Sequence, residues 1–339
     1  MNKIGITIGK FMPLHLGHEL LIEFGSAMMD KFYVIVSGKL TDAIPLKTRY
    51  DWVCDFVKLN NLYHVDVIYH IDDSPTPIDI DEYGTVLDKP FQRYWANEFQ
   101  IITASATHVI SSDHYGKAIA DTMGIKWLPV DPMRETINIS ATEIRNNISS
   151  NYQYLSDVVK PYYQKRIAIV GPESSGKSTM TKDLSCVYHT VSAHEYGRTI
   201  SEVRGLNLTE NDFADIFHGQ NELINSASKY GNNVVFTDTE AYTTYLFGKL
   251  YLEKDLDYIR RYAITEQQID LYIILAPTVK WVDDGNRILG EQQKREDFFN
   301  ELVKFVVDTG KQYVIIDSER WSDRLQQSLN AVENCIRGE

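Results

Sequence analysis

The sequence is short of three things, and each shortage excludes something. It has 3 cysteines in 339 residues, Cys54, Cys186 and Cys335, scattered and too few for a closed disulfide set. A reduced, cytoplasmic compartment is therefore expected. It has no apolar run near the length of a membrane-spanning helix, and the chain enters a strand pattern at Ile4, which fits no signal peptide. It is also short of positive charge: 34 Lys and Arg against 47 Asp and Glu leave a net charge of −13. Nucleic acids and anionic membranes are bound through fields of Lys and Arg, so neither is expected as a partner. The remaining composition is ordinary. With 43% hydrophobic and 24% charged residues, the chain can bury sizeable cores, and its length suggests two domains.

The first stretch with chemical content runs from Gly9 to His18. It follows an apolar run, Ile4 to Ile8, that reads as a strand, and it precedes a helical pattern starting near Glu19. A strand, a turn holding Gly and Pro, and a helix start make a phosphate site, because the helix N-terminus offers free N–H groups and partial positive charge. Gly9 and Gly17 permit close approach of backbone to a ligand. Lys10, His15 and His18 would steady charge on a phosphate during its transfer. A His-x-x-His zinc site is the competing reading, but no carboxylate or cysteine pattern completes it.

A second stretch, Ile139 to Arg145, carries Ser140 and Glu143 in capping-box spacing, an ordinary helix start. Thr142 and Arg145 are not needed for a cap. A phosphate at the same helix start would use the hydroxyls of Ser140 and Thr142 and the fork of Arg145. Between these stretches, strands are expected at Phe32–Ser37, Val65–Tyr69, 108–113 and 126–130, with helices from about Arg49 and over Phe91–Ile102. Arg49 is a candidate for substrate. Trp95 is either a ring for stacking on substrate or a core residue of an amphipathic helix. A breaker-rich loop spans Asp72 to Pro90.

The chain then restarts, with a boundary near 160. Arg166–Val170 reads as a strand, and Gly171 to Ser178 fits the spacing G-x-x-x-x-G-K-[ST] before a helix beginning at Thr179. In such a loop, Gly171, Glu173, Ser174, Ser175 and Gly176 present backbone N–H groups to phosphates. Lys177 reaches the outer phosphates, and Ser178 holds Mg²⁺. Further strands are expected at 190–193, 233–238, 271–275 and 313–317. Glu195 and Asp238 follow or end two of them, where ligands sit in open α/β sheets. One carboxylate should accept the proton of an attacking hydroxyl, with Glu195 the first choice. Asp238 is the runner-up base and the favourite for the Mg²⁺ shell. A polar stretch from Val282 to Arg295 reads as a lid, with Arg287 over the phosphates. Strands and helices alternate twice, so the expected fold class is α/β: two doubly wound parallel-sheet domains, 1–160 and 161–339.

These motifs resemble a known family. Gly9–His18 is similar to the (G/K)-x-F-x-P-x-H-x-G-H signature of nucleotidyltransferases, with Phe11 at its fixed aromatic position, and Ile139–Arg145 to their I-S-x-T-x-x-R motif. Glu195-Tyr196-Gly197-Arg198, Thr237-Asp238-Thr239 and Trp281–Gly285 with Arg287 resemble the ribosylnicotinamide kinase branch of P-loop kinases. Nearly the whole chain looks like the NadR-type bifunctional proteins. That resemblance implies a first domain transferring AMP from ATP to nicotinamide mononucleotide (NMN), giving NAD and pyrophosphate. It implies a second domain phosphorylating ribosylnicotinamide to NMN with Mg²⁺ and ATP, and Tyr196 and Arg198 at the substrate. The alternatives are a fusion acting on another acceptor and a nucleotide-sensing regulator. Oligomeric state stays open, a homo-oligomer included.

The family's DNA-binding helix-turn-helix has no counterpart in the sequence, and with a net charge of −13 no sequence-selective DNA binding is expected. Gel-shift titration against operator-like duplexes at physiological salt should show none; selective retention would contradict this.

Overall fold

The structure is a computed structural model, describing residues 2–74, 89–282 and 289–338. The chain divides into two compact units, Met1–Tyr162 and Tyr163–Glu339.

The first unit holds strands β1 (Ile4–Gly9), β2 (Lys31–Gly38), β3 (Val65–Ile71), β4 (His108–Ser111) and β5 (Lys126–Pro129). They pair in parallel in the order β3-β2-β1-β4-β5. Its helices are α1 (Leu16–Met28), α2 (Leu46–Leu59), α3 (Lys89–Ile102), α4 (His114–Met123), α5 (Ala141–Asn146) and the single turns α6 (Ile148–Asn151) and α7 (Lys160–Tyr163). Phe32, Val34, Ile35 and Val36 of β2 are wholly buried, as a strand covered on both faces requires. Gly5 of β1 is where α1 comes close: a Cβ there would meet Met29 Cγ at 2.6 Å. The order reverses between β1 and β4, so a crevice opens at their carboxyl ends.

Helix α4 was not expected from the sequence. Its core-facing residues are few, Gly116, Ile119 and Ala120. Its limits are set by the Asp113 side chain, which accepts from Gly116 N, and by Gly124 in the left-handed conformation at φ 66°.

The second unit holds β6 (Lys165–Val170), β7 (Ser192–Ala193), β8 (Val234–Asp238), β9 (Leu271–Leu275) and β10 (Tyr313–Ile316). They are parallel in the order β10-β9-β6-β8-β7. Its helices are α8 (Lys177–Val187), α9 (Tyr196–Arg204), α10 (Glu210–Tyr230), α11 (Ala241–Leu252), α12 (Asp257–Thr265), α13 (Gln292–Asp308) and α14 (Trp321–Arg337). One core on one sheet face joins Val170, Phe213 and Leu302; the other face packs Met180, Leu184, Phe236 and Val332. Strand β7 is shorter than expected, two residues rather than four. Among the described residues, no helix is long and apolar enough to cross a membrane.

Candidate functional site

The first candidate site fills the crevice of the first sheet. Gly9, Lys10, Phe11, His15, Gly17 and His18 line a cleft of about 600 Å³, and Ser140 and Thr142 line it too. His15 caps α1: its Nδ1 accepts from Gly17 N at 3.1 Å. The rings of His15 and His18 lie 3.8 Å apart, centroid to centroid. Phe11 takes a positive φ of 46° and turns its ring into the core against His18, at 4.8 Å. Phe11 therefore shapes the loop from beneath.

Burial brings the pKa of His15 down to about 4, helped by the charge of Arg134. His18 is pushed well below the ordinary value by burial, then by His15 and Arg134, against a hydrogen bond with Pro13. Both rings are neutral in the free protein and carry one N–H each; that of His18 is taken by the Pro13 carbonyl. His18 Nδ1 is buried and has no partner among the described residues.

Ser140 forms the expected capping box: its hydroxyl donates to Glu143 Oε2 at 2.6 Å and accepts from Glu143 N at 3.2 Å. Arg145 donates to Met12 O at 2.5 Å and to Thr142 Oγ1 at 2.9 Å. It joins the two motifs, which lie 133 residues apart.

Three expectations are corrected. Arg49 is wholly buried and does not face the cleft. Its guanidinium donates to the carbonyls of Lys10 (2.7 Å), Ser37 (3.1 Å) and Ile44 (3.0 Å) and to Asp42 (2.8 Å). Trp95 is a core residue, 3% exposed and packed with Phe91, Tyr94 and His70. Arg295, placed by the sequence in a polar lid, is 1% exposed on α13.

Arg134 was missed. It lines the cleft on a loop where Asp131 and Arg134 both have positive φ, 49° and 54°. The Asp131 carboxylate accepts from the backbone N–H groups of Glu135, Thr136 and Ile137. These bonds, that of Ile137 foremost, hold its carboxyl below the usual range. No local signal marked it: the Asp131 carboxylate reaches N–H groups four to six residues on, beyond the two-residue span of an Asx turn.

The second candidate site lies at the carboxyl end of β6. Gly171 (φ 147°), Ser174 (φ 58°) and Gly176 (φ 93°) bend the phosphate loop. Lys177 Nζ donates to Pro172 O at 3.1 Å. Arg295 Nε donates to Glu173 O at 3.1 Å, and Arg324 Nη2 to Ser175 O at 2.9 Å. Ser178 and Thr179 are exposed in the first turn of α8. Asp238 is buried at the end of β8. Burial and the neighbouring Glu195 push its pKa up to about 7, against Lys177, the Ser178 hydroxyl and Arg198. Its Oδ1 has no partner among the described residues.

Beside it lies a cavity of about 90 Å³. Glu173, Glu195, Arg198 and Thr239 form its polar side, Phe247 and Tyr251 part of its apolar side. Glu195 lines this cavity; Asp238 does not, and opens with Ser178 onto a neighbouring pocket while lying close enough to Glu195 to feel its charge. Tyr196 opens α9. Arg287 lies outside the described residues.

A free Oδ1 on a buried carboxylate, with a Ser hydroxyl on the same group, fits a hard divalent cation that takes its other ligands from phosphate and water. Among the described residues no cluster of three or more His, Cys, Asp or Glu could hold a metal, which leaves such a two-ligand arrangement.

Comparison with known proteins supplies kinship. An AAA domain family model matches residues 166–324. The trifunctional NAD biosynthesis/regulator protein NadR of Escherichia coli is 29% identical over 349 residues, covering 98% of this chain and 83% of that protein. A solved structure of NadR in complex with NR aligns over 99% of this chain and 96% of that one, with TM-score 0.69 and 22% identity. A second, NadR with NAD and AMP-PNP, gives TM-score 0.67, 22% identity, and 99% and 97% coverage. The chain is similar to the NadR proteins along nearly its whole length.

The buried histidines make stability depend on pH. Their folded pKa lies below the unfolded value near 6.5, so the unfolded chain takes up protons first as pH falls. The contribution is full above about pH 6.5 and lost toward pH 4; for His15, which titrates near 4, the loss by pH 5 is about 2 kcal/mol. Urea unfolding at pH 7.5 and pH 5 should show a larger drop for the native protein than for a His15→Gln/His18→Gln double variant. Equal drops would contradict the depressed values.

Proposed function

We propose that this chain is a bifunctional enzyme of NAD biosynthesis that uses ATP in both halves. The observation that carries the reading is the pairing of two different phosphate loops, each beside its own cavity, in one chain related throughout to NadR. The solved relatives hold NR in one case and NAD with AMP-PNP in the other, which supports nucleoside and nucleotide ligands here.

The first unit transfers AMP. An oxygen of the NMN 5′-phosphate attacks the α-phosphorus of ATP, a new P–O bond forms, and pyrophosphate leaves with the old one. The attacking oxygen is already an anion, so no side chain need act as nucleophile. The chain's part is positioning and charge stabilisation. His15 donates its N–H as a neutral ring, and His18 does so on releasing the Pro13 carbonyl, which avoids the cost of burying two cations before substrate arrives. Lys10, Arg134 and Arg145 carry the fixed positive charge.

The second unit phosphorylates the 5′-hydroxyl of ribosylnicotinamide. The polar side of the cavity suits a ribose, and the rings of Phe247 and Tyr251 suit a flat aromatic base. The backbone N–H groups of the 171–178 loop hold the ATP phosphates, and Lys177 turns from Pro172 O to the outer ones. Ser178 and Asp238 would hold Mg²⁺, which would neutralise charge on the phosphates. As the hydroxyl oxygen bonds to the γ-phosphorus and ADP departs, Glu195 accepts the proton. Arg198, on the wall beside Glu195, orients the acceptor.

Two variants separate the halves. Lys177→Ala should abolish NMN formation from ribosylnicotinamide and leave NAD formation from supplied NMN nearly intact. His18→Ala should lower NAD formation roughly a hundredfold, as for a lost transition-state donor, and spare NMN formation. A folded Lys177→Ala protein lacking both activities would refute the two-site reading.

A further inference from the structure

Strand β7 stops early. Its ladder with β8 ends where Ala193 pairs with Thr237, two residues before Glu195 and one before Asp238. From there the side chain of Gln220, on α10, takes the place of the missing strand. Its Oε1 accepts from Tyr196 N at 2.8 Å. Its Nε2 donates to Thr237 Oγ1 at 3.2 Å and to Asp238 O at 3.4 Å. A primary amide carries the same donor and acceptor as a peptide group, so it can bridge two chain segments as a ladder rung does.

The surroundings fix this amide. Gln220 is 1% exposed. Its neighbour Gly219 lets α10 close on α9: a Cβ there would meet the Tyr196 ring at 2.2 Å. The hydrogen bonds continue in one direction, since Thr237 Oγ1 donates to Thr239 O at 2.7 Å. Thr239, at φ 69°, in turn donates its N–H to Ile169 O of β6 at 3.1 Å. One buried side chain therefore connects the residue after Glu195, the backbone of Asp238, and the strand that leads into the phosphate loop.

We infer that Gln220 is a positioning residue for phosphoryl transfer, clamping the backbones that carry Glu195 and Asp238 at the spacing the reaction uses. The inference rests on the kinase reading of the second unit. Gln220 touches neither reacting group. It acts through the two segments it joins, and small misplacements of reacting groups cost rate steeply. The phosphate loop is braced separately, by Arg295 and Arg324, so ATP binding should not depend on the clamp.

The test uses the full chain and two variants, Gln220→Met, of equal length without polar groups, and Gln220→Asn, polar but too short to span both segments. Ribosylnicotinamide phosphorylation is measured with Mg²⁺–ATP, and the calorimetric unfolding enthalpy of the same preparations, compared with the native protein, reports how much of the second unit is folded. Both variants should lose about tenfold or more in kcat, with KM for ATP within about twofold of the native value. A role in stability alone would lower the melting temperature and leave kcat per folded molecule unchanged, and that result overturns the proposal. So does a fall in kcat matched by a rise in KM for ATP. If the Met variant does not fold, full rate in the Asn variant overturns it and a selective loss of kcat supports it. Native protein that makes no NMN would refute the kinase reading rather than the clamp. The same two variants are then compared by kcat for Mg²⁺–ATP hydrolysis, with the same outcomes deciding.

Discussion

A loop that binds phosphate must turn its N–H groups toward the anion, and its carbonyl oxygens must then point elsewhere and find donors. Both candidate sites meet this constraint with side-chain cations, all of them buried except Arg145. In the first unit Arg49 takes the carbonyl of Lys10 and Arg145 that of Met12. In the second, Lys177, Arg295 and Arg324 take the carbonyls of Pro172, Glu173 and Ser175. Arg49, Arg295 and Arg324 are among the largest fully buried side chains of the described residues. Burial pulls the pKa of Arg49 and Arg324 downward, but arginine starts so high that it stays charged. A planar fork with five donors can satisfy several carbonyls at once, which a lysine cannot do with the same rigidity.

The two sites then differ in how they prepare for charge. The first keeps its histidines neutral by burial and by Arg134, so the cleft gathers donors without gathering buried charge. The second does the reverse, holding Asp238 close to Glu195 and raising its pKa to about 7. Two carboxylates side by side, one with an unpartnered oxygen, form a site that is electrostatically incomplete without a cation. The difference follows the two proposed reactions. An anionic phosphate nucleophile needs its charge offset, whereas an alcohol needs a group to receive its proton.

Much of this was legible in the sequence because the signals were local. Apolar runs between turn residues gave the strands, and the two loops declared themselves by glycine, lysine and histidine spacing next to a strand. The Ser140–Glu143 capping box was readable from two positions three apart. Tertiary roles were not legible. Arg49 sits near a helix start, as a substrate-facing arginine would, yet the helix turns it inward to a loop 39 residues away. Arg295 stands in a charged stretch that reads as solvated surface, and only packing of α13 buries it. Trp95 satisfies both a core and a stacking pattern, and burial decided between them. Arg134 and Gln220 lie in segments with no motif, and their partners are distant or supplied by loop geometry.

The central claim is that two chemistries run in sequence on one chain. The most direct measurement incubates the native protein with ribosylnicotinamide, ATP and Mg²⁺ and follows the products with time. NMN should appear first and then give way to NAD, with ADP and pyrophosphate both released. Neither NMN nor NAD, or NAD without its two co-products, would contradict the account.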